Sequence, residues 1–392
     1  MRASLRSALA GLTLAFSFFA GSGLRATTLE SALPRFALYE RFVAIDGACG
    51  WPLLNILPNG DLACLLWPNS SHGFTEGAVE CWLSHDQGRT WQRASVPVPF
   101  TPTTNRMNHA AGVAPDGSFV ALVAGWDQRK PAGWTPDPAD KRPPREHFVG
   151  SHTLTPVPAV SHDNGLTWRQ FPPVVDPPAG AGNGFTPFGR IAAVGDGSIG
   201  VMMYRNEVLF YTSRDGGATW TKRGEISAGH RHNETTWIRL DNGDLYAAAR
   251  SFDNQHLDGY RSTDRGGTWH FECELTLPMQ HPADLTRLPD GRILLSYGVR
   301  NEGRWAVDLR IADPAAHHWS APVCLVDLEG STDNRLDPAP TRDGGYPTTV
   351  VLPDGTFVTA YYSRGVPAHS RYHVGVIRWK PAADAKVFSS AP

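Results

Sequence analysis

The 392-residue sequence predicts an all-β fold, a six-bladed β-propeller of four-stranded antiparallel blades. Three observations predict it. The turn motif Ser-x-Asp-x-Gly-x-Thr-Trp occurs four times, and an Asn/Asp-Gly dipeptide between apolar runs occurs six times. The 39 Gly and 32 Pro demand many turns and short strands rather than long helices. Asn/Asp-Gly between β-rich runs is the strongest short hairpin signal. Six hairpins, most followed by the Asp-containing turn, give six four-stranded units, and radial repetition of such units makes a propeller.

In chain order, residues 1–26 read as a signal peptide. Arg2 and Arg6 supply a basic start, an apolar stretch runs from Leu9 to Ala20, and Ala26 offers a cleavage site. The apolar stretch is short for a membrane span. A secreted or periplasmic protein with no span after cleavage is expected. Residues 27–380 form the propeller and 381–392 a flexible tail. The hairpin turns fall at Asn59-Gly60, Asp116-Gly117, Asp196-Gly197, Asn242-Gly243, Asp290-Gly291 and Asp354-Gly355. The longer turns fall at Ser84–Trp91, Ser161–Trp168, Ser213–Trp220 and Ser262–Trp269, with a decayed copy from Asp313 to Trp319. Within each, Asp accepts backbone N–H bonds, Gly takes positive φ, and Thr and Trp begin the next strand. The Trp supplies apolar area for packing on a neighbour.

Composition narrows the function. With 41% hydrophobic residues the chain buries a large core, and a formal net charge of −2 gives no basic excess to attract a nucleic acid. The five Cys lack metal-ligand spacing, so no metal is expected, and no cluster implies an organic cofactor. Small buried hydrophobes are their simplest role, although export permits one disulfide.

Strand direction separates the two edges of the ring. Both turn types lie on one edge, while the long connections 128–147, 172–187 and 328–345 lie on the other, which is therefore the expected binding face. Eight residues before each Asn/Asp-Gly turn stand Trp51, Asn108, Phe188, Glu234, Pro282 and Tyr346, expected to ring the channel mouth at one level. Eight residues after Asn242 stands Arg250, beside Glu234 on the adjacent strand. Trp67, Arg205, Arg300 and Tyr362 are its expected neighbours at the rim. Alternation adds Arg190 and Asp284. One carboxylate, one phenol and several guanidinium groups suit an anionic ligand.

The Ser-x-Asp-x-Gly-x-Thr-Trp turns are Asp boxes, and nearly the whole mature chain resembles the sialidase superfamily, the six-bladed BNR-repeat proteins. Glu234-Thr-Thr-Trp-Ile-Arg-Leu-Asp-Asn-Gly-Asp-Leu-Tyr-Ala-Ala-Ala-Arg250 resembles that family's Glu and Arg flanking a turn. Asp343-Gly-Gly-Tyr346-Pro-Thr-Thr resembles the segment with its catalytic Tyr. Gly298-Val-Arg300-Asn-Glu-Gly-Arg304 resembles the segment with another ligand-binding Arg, and the choice between Arg300 and Arg304 stays open. The resemblance implies an exo-glycoside hydrolase acting on an acidic sugar or glycan terminus. Tyr346 would be its nucleophile, activated by Glu234, with no metal. A phenol ordinarily titrates near 10, so a neighbouring carboxylate must take its proton as it attacks. A neutral phenol also suits a reacting carbon that bears its own carboxylate, and sialidases are an exception to the two-carboxylate rule. Arg250 with Arg300 or Arg304 would hold the anion, and Asp343 would orient the loop of Tyr346.

Two departures stand out. The family's first blade opens on Arg-Ile-Pro, where this chain has Gly50-Trp51-Pro52, so one carboxylate-binding Arg is missing. The family's acid/base Asp falls in a region reading Ser70-Ser-His72-Gly-Phe-Thr-Glu76, with no Asp. Glu76, His72 or Asp284 remain as substitutes. These departures make true sialic acid cleavage doubtful, and they keep two alternatives open. One is a glycan-binding propeller without catalysis. The other is a polysaccharide lyase using His109 and Tyr346.

Overall fold

The computed structural model describes residues 36–382 apart from 71–72, 74, 130–132, 134, 136–152, 176–184, 206, 227–230, 302, 329–343 and 367–368. Side chains of 365–371 are likewise not described. The expected signal peptide, Asp343, His72 and residues 383–392 of the expected tail lie outside the described residues.

The described chain is all β. Strands β2 (Leu53–Ile56), β3 (Leu62–Leu66), β5 (Glu80–Ser84) and β6 (Gln92–Ser95) form one antiparallel sheet in that order. The next two sets are β7 (Thr104–Val113), β8 (Phe119–Asp127), β9 (Thr153–Ser161) and β10 (Arg169–Gln170), then β11 (Thr186–Ala193), β12 (Ile199–Tyr204), β13 (Val208–Ser213) and β14 (Thr221–Ile226). A short parallel pairing, Gly189 with Ala110 and Arg190 with Ala111, joins them into one nine-stranded sheet that also takes in β4 (Gly77–Ala78). Two more four-stranded sheets follow. They are β15 (His232–Arg239) to β18 (His270–Glu274), through β16 (Leu245–Ser251) and β17 (Leu257–Ser262), and β19 (Gln280–Arg287) to β22 (Val323–Asp327), through β20 (Ile293–Asn301) and β21 (Arg304–Ala312). The last sheet has the order β23 (Gly345–Val351), β24 (Phe357–Val366), β25 (His369–Pro381), and its outer strand is β1 (Phe36–Asp46), from the other end of the chain. Along the inner strands, β7 touches β2 and β11, β15 touches β11 and β19, and β23 touches β19 and β2.

All six Asn/Asp-Gly dipeptides close β-hairpins, and the glycine of each has φ between 78° and 92°. The four Asp boxes share one bonding pattern. In the first, the Ser84 hydroxyl donates to Asp86 at 2.8 Å, and Asp86 accepts the Thr90 backbone N–H at 2.8 Å and hydroxyl at 2.7 Å. The fifth, decayed copy keeps its Asp: Asp313 accepts the backbone N–H of Ala315 and His318 at 2.8 and 2.7 Å. The box glycines also serve sheet packing. A Cβ on Gly266 would sit 2.2 Å from the Phe210 ring of the preceding strand set, so these turns press against the neighbouring sheet. The apolar clusters lie between adjacent sheets: Phe210, Trp237 and Trp269 meet edge to face, with centroids 5.0 and 5.6 Å apart. All five cysteines are free, and Cys49, Cys64 and Cys81 are buried.

Candidate functional site

The candidate site lies at the edge opposite the tight turns, where the inner strands begin. Trp51, Asn108, Phe188, Glu234, Pro282 and Tyr346 all line one cavity of about 210 Å³. An equal count to a regular hairpin turn puts residues of successive sheets at one height, because strand rise is uniform.

At its centre the Tyr346 phenol donates to Glu234 Oε1 at 2.6 Å, across 112 residues of sequence. Arg250 Nη1 holds the other oxygen, Oε2, at 2.5 Å, and its Nε and Nη2 donate to Gln255 Oε1 at 3.1 and 2.5 Å. Tyr346 is buried, and its backbone has φ of 48°, a left-handed conformation that costs a side-chain-bearing residue energy. Trp51 occupies the same conformation at φ of 51°. The Tyr346 ring is wedged among Trp51, Phe188 and Tyr362, with centroids 6.1, 6.2 and 5.6 Å away. Burial first, and the Glu234 charge second, push the Tyr346 phenol far above its ordinary value, while Arg250 and Arg300 oppose them. The phenol therefore carries its proton at rest.

Arg300 and Arg304 separate cleanly. The Arg300 guanidinium lies 5.2 Å from the Tyr346 ring centroid, within cation–π range, and its Nη2 donates to Gly344 O at 2.7 Å. Its Nε is buried without a partner. Arg304 instead grips Asp308 at 2.7 and 2.8 Å on β21, and is absent from the cavity wall. Of the two arginines between which the sequence leaves the choice open, Arg304 is held by the buried Asp308 while Arg300 stands beside the Tyr346 ring, and neither lines the cavity wall itself.

Asp284, expected to be catalytic, and Arg190, expected to bind substrate, pair with each other, with Asp284 on the cavity wall. Arg190 Nε and Nη2 reach the two oxygens of Asp284 at 2.8 and 2.6 Å, and Asp284 also accepts the Thr349 backbone N–H at 2.9 Å. Arg190 further donates to Leu54 O at 3.2 Å and Thr349 O at 2.6 Å. A carboxylate closed on both oxygens is unsuited to acid catalysis, and its guanidinium is unsuited to a ligand anion. The pair is a strut between β11 and β19 that also reaches β2 and β23.

His109 lines the cavity, but its ring nitrogens lie 3.3 and 3.1 Å from the carbonyls of Met107 and Leu65. Burial depresses it to about 4, against opposing hydrogen bonds, so it is neutral at pH 7. Asn108 is half-buried on the wall, with Oδ1 lacking a partner. Glu76 is exposed and away from the wall. Arg205 pairs with Glu207 at 3.4 Å and is not on the wall either.

Sequence reasoning missed Tyr204, Trp126 and Met107 on the wall, and Gln255 and His281 behind it. Tyr204 was within reach, since counting eight residues forward from Asp196 lands on it rather than on Arg205. Gln255 sits in a short loop and left no periodic signal. Among the described residues, no group of three or more His, Cys, Asp or Glu is placed to hold a metal ion.

Inner strands that converge on one Tyr–Glu–Arg cluster, with Asp-box turns on the opposite edge, define an all-β protein built from BNR-type repeats. The chain belongs to the BNR repeat-like domain family, which it matches over residues 75–359. No curated protein matches it significantly. Among solved structures it is similar to a protein of unknown function from Dyadobacter fermentans, at 21% identity and TM-score 0.70, covering 89% of this chain and 99% of that one. It is also similar to the NanB sialidase of Streptococcus pneumoniae, at 12% identity and TM-score 0.58, covering 88% and 70%. A third is a Trypanosoma rangeli sialidase in complex with sialic acid, at 16% identity and TM-score 0.57, covering 88% of this chain and 57% of that one. At these identities the likeness is one of fold.

Proposed function

We propose that the protein is an exported exo-glycoside hydrolase that removes an acidic sugar from a glycan terminus, on a closed ring of six blades. Closure is supported by the cyclic contacts of the inner strands, β23 returning to β2. Export rests on the amino-terminal sequence, and no described helix is long and apolar enough to cross a membrane. One observation carries the catalytic reading, the 2.6 Å contact between Tyr346 and Glu234.

The chemistry follows from that contact. Tyr346 Oη attacks the anomeric carbon while its proton passes to Glu234 Oε1, and the bond to the departing oxygen breaks. Glu234 then loses its negative charge just as the Tyr346 phenol would have gained one, so Tyr346 never stands as a bare phenolate. Arg250 fixes the carboxylate so that Oε1 alone faces the phenol. A water next takes the sugar from Tyr346, whose oxygen recovers the proton from Glu234. Arg300 is paired with no carboxylate among the described residues, and its uncompensated charge beside Tyr346 favours an acidic ligand. With Trp51 where the resemblance expects an Arg, an aromatic face replaces part of the anion clamp, so sugars other than sialic acid belong in the test. A cavity of about 210 Å³ has room for a group the size of a sugar ring.

The test is a panel of aryl glycosides and native glycans with the wild type, Glu234→Gln and Tyr346→Phe. Each variant is expected to lose at least about a hundredfold in kcat/KM. Wild-type rates in both variants would refute the mechanism. A second reading, glycan binding without turnover, is favoured by the lack of an unpaired carboxyl among the described wall residues. Binding of a glycan with no product would support it.

A further inference from the structure

A hydrolase needs a proton for the departing oxygen, and the described wall residues leave one candidate donor. Glu234 is committed to Tyr346 and Arg250. Asp284 is closed by Arg190 and the Thr349 N–H. His109 directs both nitrogens at backbone carbonyls. Glu76 stands away from the wall. Tyr204 remains. It ends β12, pairs in register with Thr186 on β11, and lines the same cavity as Glu234 and Tyr346.

Resting on the hydrolase reading, we propose that Tyr204 is the acid that protonates the leaving oxygen and the base that activates the water in the second step. As the glycosidic C–O bond breaks, its electron pair stays on the leaving oxygen, which takes the Tyr204 proton and departs as an alcohol. The Tyr204 phenolate then removes a proton from the incoming water, whose oxygen bonds to the anomeric carbon as Tyr346 leaves. Both groups end in their starting state. The phenol is close enough to Glu234 and Arg250 to feel both charges, and it neighbours Tyr346 as well. Burial foremost, with Glu234 and Tyr346, keeps it protonated, while Arg250 and the Thr186 hydroxyl favour the phenolate that forms in passing. The phenol thus holds its proton until the leaving oxygen demands it.

The test compares two leaving groups on one protein, so the folded fraction cancels. The 2,4-dinitrophenyl and methyl glycosides of the sugar identified by the aryl glycoside panel are assayed with wild type, Tyr204→Phe and Glu234→Gln. A dinitrophenolate leaves without help and a methoxide does not. Tyr204→Phe is therefore expected to lose at least about a hundredfold more on the methyl than on the dinitrophenyl glycoside in the step that expels the leaving group. Added azide, a nucleophile that needs no base, is expected to restore turnover of the dinitrophenyl glycoside. Glu234→Gln is expected to fall on both. Equal losses on the two glycosides, or none, would overturn the role of Tyr204 and leave the hydrolase reading standing. Absence of turnover of any glycoside by the wild type would overturn both.

Discussion

Removal of Arg190 tests how the centre of the molecule is held together. Its guanidinium makes two bonds to Asp284 at 2.8 and 2.6 Å and reaches the carbonyls of Leu54 and Thr349. The Asp284 side chain is 4% exposed. In Arg190→Met the methionine fills most of the volume, and Asp284 keeps only the Thr349 N–H at 2.9 Å and a long bond from the Thr286 hydroxyl at 3.4 Å. A buried carboxylate that loses its cation costs about 3–5 kcal/mol. Replacing both members, as Arg190→Met with Asp284→Asn, removes the uncompensated charge while retaining the amide bond. The double variant is therefore expected to recover roughly half of that loss. Urea unfolding at pH 7, with the slope checked for constancy, measures both. A loss below about 1 kcal/mol in Arg190→Met would refute the strut, as would a double variant no more stable than the single one.

Two further predictions concern stability. Burial pushes the His109 imidazole down to about 4 in the fold, against an ordinary 6.5 when unfolded. Its contribution is complete above pH 6.5 and is lost as pH falls toward 4, by about 3 kcal/mol at 1.36 kcal/mol per pH unit. Wild type and His109→Gln, unfolded in urea at pH 7 and 4.5, should differ in this slope, and equal slopes would count against it. Gly266→Ala forces a Cβ into the Phe210 ring at φ of 92° and is expected to cost about 2–4 kcal/mol, read as a lower urea midpoint. A neutral result would show that the box turn has room to move.

Much of this architecture is legible in the sequence because it repeats. Each Asn/Asp-Gly turn fixes where two strands reverse, and strand rise carries that position to the opposite edge. Counting from the turns thus places Glu234 and Tyr346 on one wall without coordinates. The same arithmetic cannot say what a charged side chain does on arrival. Arg190 and Asp284 sit at the expected height but answer each other, and Arg304 turns to Asp308, because pairing is decided by neighbours from distant strands. Gln255 lies in a loop of no fixed period, and its bond to Arg250 exists only once the sheets are assembled.

The last sheet draws its outer strand, β1, from the opposite end of the chain and binds it to β25 from Phe36 to Asp46. A growing polypeptide therefore releases β1 more than three hundred residues before its partner. At translation speeds of about 5–20 residues per second, that strand waits on the order of tens of seconds with a bare edge. Whatever shields it in the interval, a chaperone or a delayed fold, governs the yield of intact molecules, and a chain stalled before β25 emerges cannot complete the final sheet.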